Sequence, residues 1–136
     1  MALDPQISVI IKDIEAKTAK AAVELMTEIH SELVTTTPVD IGWARVNWVP
    51  SYGAPYIVDI YRAKPDASSV GRVSLRAEAQ KIRVALTYSL NDGNIYITNN
   101  VPYINRLNNG WSKQQPAGFV QRAIEKGLKA VKNKRF

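Results

Sequence analysis

Between Asp4 and Pro38 the chain carries an apolar stripe long enough to dictate the architecture around it. Ile7, Ile10, Ile11, Ile14, Thr18, Ala21, Leu25, Ile29 and Leu33 recur at three- and four-residue steps, whereas Lys12, Lys20, Glu24 and Glu28 fall at other angles. This spacing predicts one long amphipathic helix with that face buried. Asp4 suits the N-cap, where a carboxylate accepts an orphan N–H, and Pro5 suits the first helical position, where no N–H is needed. Thr35, Thr36 and Thr37 are poor interior residues and Pro38 disfavours helix at the residue before it, so the helix is predicted over residues 5–34.

The remainder reads as shorter elements. Pro38 to Gly42 is a turn, and Trp43 to Val49 a strand that presents Ala44, Val46 and Trp48 on one face before Pro50 stops it. Tyr56 to Tyr61 is β-branched and aromatic enough for another strand, and the stretch around 51–72 reads as a mobile loop. From Ser74, Leu75, Ala79, Ile82 and Leu86 define a second helix that ends before the Asn91–Asn94 turn. Ile95 and Ile97 alternate with Tyr96 and Thr98 as in a half-buried strand. Seven asparagines between Asn91 and Asn109 imply an ordered but irregular segment, since asparagine caps its own turns. After Gly118, Val120, Ile124, Leu128 and Val131 predict a last helix. The expected class is α+β in a single domain, 1–136: a long N-terminal helix, a small mixed or antiparallel sheet, and a second and a C-terminal helix packed on one side.

Composition narrows the chemistry. With no cysteine, disulfides, thiolate nucleophiles and Cys-ligated metal centres are excluded. No apolar stretch approaches the ~20 residues of a membrane-spanning helix, and Met1 to Gln6 lacks the pattern of a signal peptide, so a start in the cytoplasm is expected. His30 is the only histidine, and a structural role outweighs a hydrolytic one. Glu24, Glu28 and Glu32 share a helix face that could offer paired carboxylates, although a solvated face is the commoner outcome. Dispersed glycines form no phosphate cradle. No catalytic residue, cofactor or metal is expected. Net charge is +6, with Lys126, Lys129, Lys132, Lys134 and Arg135 crowding one end. That end could meet DNA or an acidic partner, or simply suit the helix C-terminus. Trp43, Trp48, Tyr103 and Trp111 are the aromatics able to anchor an interface, Trp48 being better explained as core.

Two segments resemble a known family. One is Thr37-Pro38-Val39-Asp40-Ile41-Gly42 with Ala44-Arg45 and Asn47-Trp48. The other runs from Ile95 through Asn99-Asn100-Val101-Pro102-Tyr103, then Leu107, Gly110-Trp111-Ser112-Lys113-Gln114 and Pro116-Ala117-Gly118-Phe119-Val120. Together they resemble the tail-completion proteins, also called head-tail joining or neck proteins, of long-tailed bacteriophages. Ile41, Trp43, Asn108 and Gln115 depart from residues common there, and the 51–70 stretch matches nothing in the family. The resemblance implies a virion structural subunit without catalysis, made in the host cytoplasm. It implies a homo-oligomeric ring, expected to be sixfold, between the head-closure (adaptor) ring and the tail tube. Asp40 and Arg45 are expected to pair across the turn, Asn100, Tyr103 and Trp111 to shape the irregular segment, and Lys113 to lie in the motif. The competing expectations are a basic nucleic-acid-binding protein acting beside the DNA path and a hydrolase acting through His30.

Overall fold

The computed structural model describes residues 4–38, 43–57 and 67–136, with side chains from residue 71 onward in the last stretch. The class is α+β. In chain order it has helix α1 (Pro5–Thr36), the helical turn α2 (Trp43–Val46), strand β1 (Val49–Tyr52) and helix α3 (Ala67–Thr87). A 3-10 turn (Leu90–Asp92), strand β2 (Ile95–Thr98), helix α4 (Ile104–Asn108) and helix α5 (Phe119–Val131) follow. The two strands pair antiparallel with Pro50 opposite Ile97.

Helix α1 starts as its sequence dictates: Asp4 Oδ1 accepts the Gln6 N–H at 2.8 Å and Pro5 occupies the first turn. It ends two residues later than expected. The hydroxyls of Thr35 and Thr36 donate to the carbonyls four residues back, at 2.8 and 2.7 Å, and Thr37 does the same to Leu33. Back-bonding of this kind turns a run with poor helix propensity into one that completes the last turn.

A strand over Trp43–Val49 does not form. Ahead of buried Val49, the buried residues Trp43, Ala44, Asn47 and Trp48 stand at one-, four- and five-residue separations that belong to a helical turn. Asn47 Nδ2 closes that turn on the Trp43 carbonyl at 2.7 Å. Strand β1 therefore begins where the expected strand ended, and Pro50 lies inside it. Gly53 N–H donates to the Asn94 carbonyl, which makes 53, 51 and 49 the hydrogen-bonded positions of the ladder. Pro50 falls between them, where its missing N–H costs no ladder bond. The expected 51–72 loop is likewise bounded by order, since β1 runs through Tyr52 and α3 begins at Ala67, seven residues before Ser74. Of the expected Tyr56–Tyr61 strand, Tyr56 and Ile57 are not in a strand, and residues 58–61 lie outside those described.

Two buried clusters form one continuous core. Leu33, Trp48, Phe119 and Ala123 make the first, and Trp43, Ala44, Val73 and Val101 the second. Ile104 and Leu107 of α4 pack against both. Helix α5 runs antiparallel along the C-terminal half of α1, and the residues it buries are Phe119, Ala123 and Gly127, not Ile124 and Leu128, which are 41% and 50% exposed. At Gly127 a small residue is required because the backbones approach closely: a Cβ there would overlap Ile29 Cγ1 and stand 3.2 Å from the Ile29 backbone nitrogen. Lys126 of α5 reaches Glu32 at 3.7 Å, and Lys134, three residues past the end of α5, reaches Glu24 and Glu28 at 3.2 and 3.8 Å. The α1 carboxylate row therefore meets lysines of the C-terminal segment instead of lying wholly in solvent.

At the centre of this packing His30 is buried at 2% exposure, with Nε2 2.9 Å from the Trp48 carbonyl. A carbonyl only accepts, so Nε2 carries the proton. Nδ1 is buried with no hydrogen-bond partner among the described residues. Burial holds the imidazole pKa below its ordinary 6.5, with Lys81 adding to the effect while the Trp48 carbonyl and Glu78 oppose it.

Replacing Gly127 by alanine, which favours an exposed helix, should here destabilise the protein by about 1–3 kcal/mol through overpacking against Ile29, as read by urea unfolding. The unfolded His30 gains its proton at a higher pH than the folded ring, whose pKa burial lowers. Unfolding free energy should therefore decline between about pH 7.5 and pH 5.5, and the decline should flatten in His30→Gln.

Candidate functional site

The residues that carry the strongest sequence patterns converge on one side of the core. From the first segment, Thr37 is fully buried and serves both elements beside it: its hydroxyl donates to Leu33 and accepts the Trp48 indole N–H at 2.7 Å. Arg45 projects from α2 back to the end of α1, where Nη2 donates to the Thr35 and Thr37 carbonyls at 3.2 and 3.1 Å. These bonds satisfy carbonyls that a helix end leaves open. Arg45 Nε is buried without a partner among the described residues, and Asp40, its expected counterpart, lies outside them.

The second segment reaches the same place from the far side of the sequence. Asn99 Nδ2 donates to the Ala44 carbonyl at 2.8 Å while its Oδ1 accepts the Val101 N–H at 3.0 Å, a local turn that also tethers α2. Val101 is buried against Trp43, Ala44 and Val73. Asn100 Nδ2 holds the Tyr56 carbonyl at 2.9 Å, which fixes the chain after β1. Tyr103 is the residue before α4 and is 39% exposed. Asn100 and Tyr103 stand on the turn between β2 and α4, and Asn99 beside them carries a long-range tether that sequence reading did not single out.

Beyond α4 the chain makes a tight excursion from Asn109 to Gly118, closed at its base by Asn108. The Asn108 carbonyl accepts Gly118 N–H at 2.7 Å, its Oδ1 accepts Val120 N–H at 3.0 Å, and its Nδ2 lies 3.1 Å from Gln121 Oε1. Arg122 from α5 reaches back to the carbonyls of Ala117 and Pro116 at 2.6 and 3.0 Å. Gly110 is at φ +89°, and a Cβ there would stand 3.2 Å from the Ala117 nitrogen, so the loop's closure requires glycine. On this loop Trp111 is 73% exposed with the Arg106 guanidinium 4.9 Å from its ring centroid, and Lys113 is exposed beside it. The loop-closing roles of Asn108, noted in the sequence only as a departure from the family, and of Arg122 appear when the chain brings them to opposite ends of one loop.

Exposed apolar surface lies elsewhere. Ile7, Ile10, Ile11 and Ile14 of α1 are exposed, contrary to the expectation that the whole stripe is buried. Helix α3 is inverted relative to expectation: Val73, Ala77 and Val84 are buried, while Leu75 and Leu86 are 75% and 80% exposed. An open groove of 330 Å³ runs between α1 and β2, lined by Leu25, Met26, Ile29, Ile95 and Ile97 among others.

This arrangement is built to hold shape. Most of the amide and guanidinium groups described above bind backbone carbonyls, and the His30 ring meets only a carbonyl. Among the described residues there is no group of three or more metal-ligating side chains, and no helix is long and apolar enough to cross a membrane. Comparison of the chain with protein-family models, curated proteins and solved structures found no match in any of the three.

Proposed function

We propose that the protein is a structural subunit of the neck of a long-tailed phage, forming a ring that joins the head-closure ring to the tail tube. One observation carries this reading: the two segments that resemble tail-completion proteins pack together, through Asn99 on the Ala44 carbonyl and Val101 against Trp43 and Ala44. They brace a face made of ordered loops. An aromatic ring with an arginine over it, both standing in solvent, is the kind of pair that anchors protein interfaces. The groups in these segments hold the backbone, as an assembly subunit requires.

The nucleic-acid reading is weaker, because two of its five cations face α1 carboxylates. Lys126 and Lys134 are exposed but sit within 4 Å of Glu24, Glu28 and Glu32, which leaves Lys129, Lys132 and Arg135 as the exposed basic residues away from those carboxylates. Contact with DNA in the channel would fall to these three.

A phage unable to make this chain should yield filled heads and finished tails that remain separate under the electron microscope; infectious, joined particles would overturn the proposal. Trp111→Ala should leave the melting transition almost unchanged, within about 0.5 kcal/mol for an exposed side chain, while the variant fails to restore joining in that phage. Full restoration would remove Trp111 from the interface.

A further inference from the structure

The two exposed apolar stripes share one spacing. On α1, Ile7, Ile11, Ile14 and Thr18 follow one another at steps of four, three and four residues; on α3, Leu75, Ala79, Ile82 and Leu86 do the same. Alternating steps of this kind keep side chains on one seam at 3.5 residues per repeat, the pattern by which two helices interlock. All six large residues of the two seams are exposed, from 38% at Ile11 to 80% at Leu86, so neither stripe covers the other within one molecule.

Charges beside the seams decide how they can pair. The α1 seam is flanked by Ser8 and Glu15 on one side and by Ile10 and Lys17 on the other. The α3 seam has Arg76 and Arg83 on one side and Glu78 and Ala85 on the other. Laid antiparallel, Ile7 meets Leu86, Ile11 meets Ile82, Ile14 meets Ala79 and Thr18 meets Leu75. Glu15 then lies between Arg76 and Arg83, Lys17 beside Glu78, and Ile10 beside Ala85. Like-sided flanks face each other in antiparallel pairs, so every charge on α1 beside this seam finds its opposite.

The alternatives fail on the same criterion. A parallel pairing in the equivalent register sets Glu15 beside Glu78. An antiparallel pair of α1 seams gives Lys17 no carboxylate across the seam, and an antiparallel pair of α3 seams sets arginine against arginine. Flanking charges contribute little energy, but they choose partner and orientation. In the single subunit Lys17 lies 3.0 Å from Asp13 and Lys81 lies 4.0 Å from Glu78, exposed contacts that an interface can exchange.

We infer that the N-terminal half of α1 docks antiparallel on the outer seam of α3 in a second copy of this chain. The inference deepens the ring reading above and rests on it for the use of a second copy. Each molecule then offers one donor helix and one acceptor helix, a head-to-tail contact that propagates until it closes.

Sedimentation velocity on the full chain tests this. Ile14→Asp in the donor and Ile82→Asp in the acceptor alter exposed side chains, so circular dichroism should show both variants folded. Each should weaken association at least about a hundredfold relative to the unaltered chain. Mixed together, the two variants should form a one-to-one heterodimer and nothing larger, because one intact donor meets one intact acceptor. Lys17→Glu and Glu78→Lys should each weaken association about five- to tenfold, and the double variant should recover it. Oligomers that persist in both aspartate variants overturn this pairing and leave the ring reading standing. A dimer lost in both aspartate variants supports the pairing and overturns the ring. An unaltered chain that stays monomeric up to its solubility limit overturns both.

Discussion

Trp48 joins the two halves of this molecule. Its indole N–H is bound by Thr37 at the end of α1, its carbonyl is bound by His30 about two turns earlier, and its ring packs in the cluster of Leu33, Phe119 and Ala123. The residue that opens the sheet is thereby tied at two points to the longest helix, and the helix that closes the chain packs on the same ring. A buried tryptophan contributes a large apolar area, but it fixes orientation only where its N–H has a partner. Thr37 supplies that partner because its own hydroxyl hydrogen is directed to the Leu33 carbonyl, leaving the oxygen free to accept. Shape specification here comes from a few buried polar groups, each facing one possible partner.

The same economy governs the loops. Asn99 and Asn100 bind carbonyls of segments distant in sequence, and Asn108, Arg45 and Arg122 bind main-chain groups of neighbouring elements, so the irregular third of the chain is held by side-chain-to-backbone bonds in place of a wide sheet. A two-stranded ribbon is marginal by itself. Helices packed against it and amides crossing from one loop to another provide what additional strands would supply in a larger sheet. Loops fixed this way present backbone and aromatic surface with little motion left to lose on binding, which suits recognition by shape.

Long periodic features were legible in the sequence. The start of α1, the strand at Ile95–Thr98, the turn before it and the existence of three substantial helices followed from periodicity and capping. Which face each helix buries did not follow. Both α3 and α5 carry two apolar stripes, and the exposed ones hold Leu75, Ile82 and Leu86 in α3 and Ile124 and Leu128 in α5. In α5 burial went to Phe119, Ala123 and Gly127, and at Gly127 the close backbone of Ile29 excludes bulk, a tertiary fact that hydrophobicity does not encode. The expected strand over Trp43–Val49 fails for a different reason: so short a stretch supports alternation and helical spacing alike, and Asn47 closing on the Trp43 carbonyl decides for a helical turn. At the candidate site, the asparagine-rich segment was visible beforehand, whereas the exposure of Trp111 and the bonds by which Asn108 and Arg122 close the loop appear only in the folded chain.

Helix α1 has 32 residues, hence a length of about 48 Å, whereas a compact domain of this size has a radius of gyration of only about 14 Å. The helix must overhang its own body, and its first turns carry isoleucine into water. In a head-to-tail assembly the overhang and its receptor belong to one rigid subunit, so the angle between the axes of α1 and α3 becomes the turn angle of the whole array. Copy number would then be an intramolecular property, written in the packing around Trp48, and a change of a few degrees there would open a closed circle into a spiral.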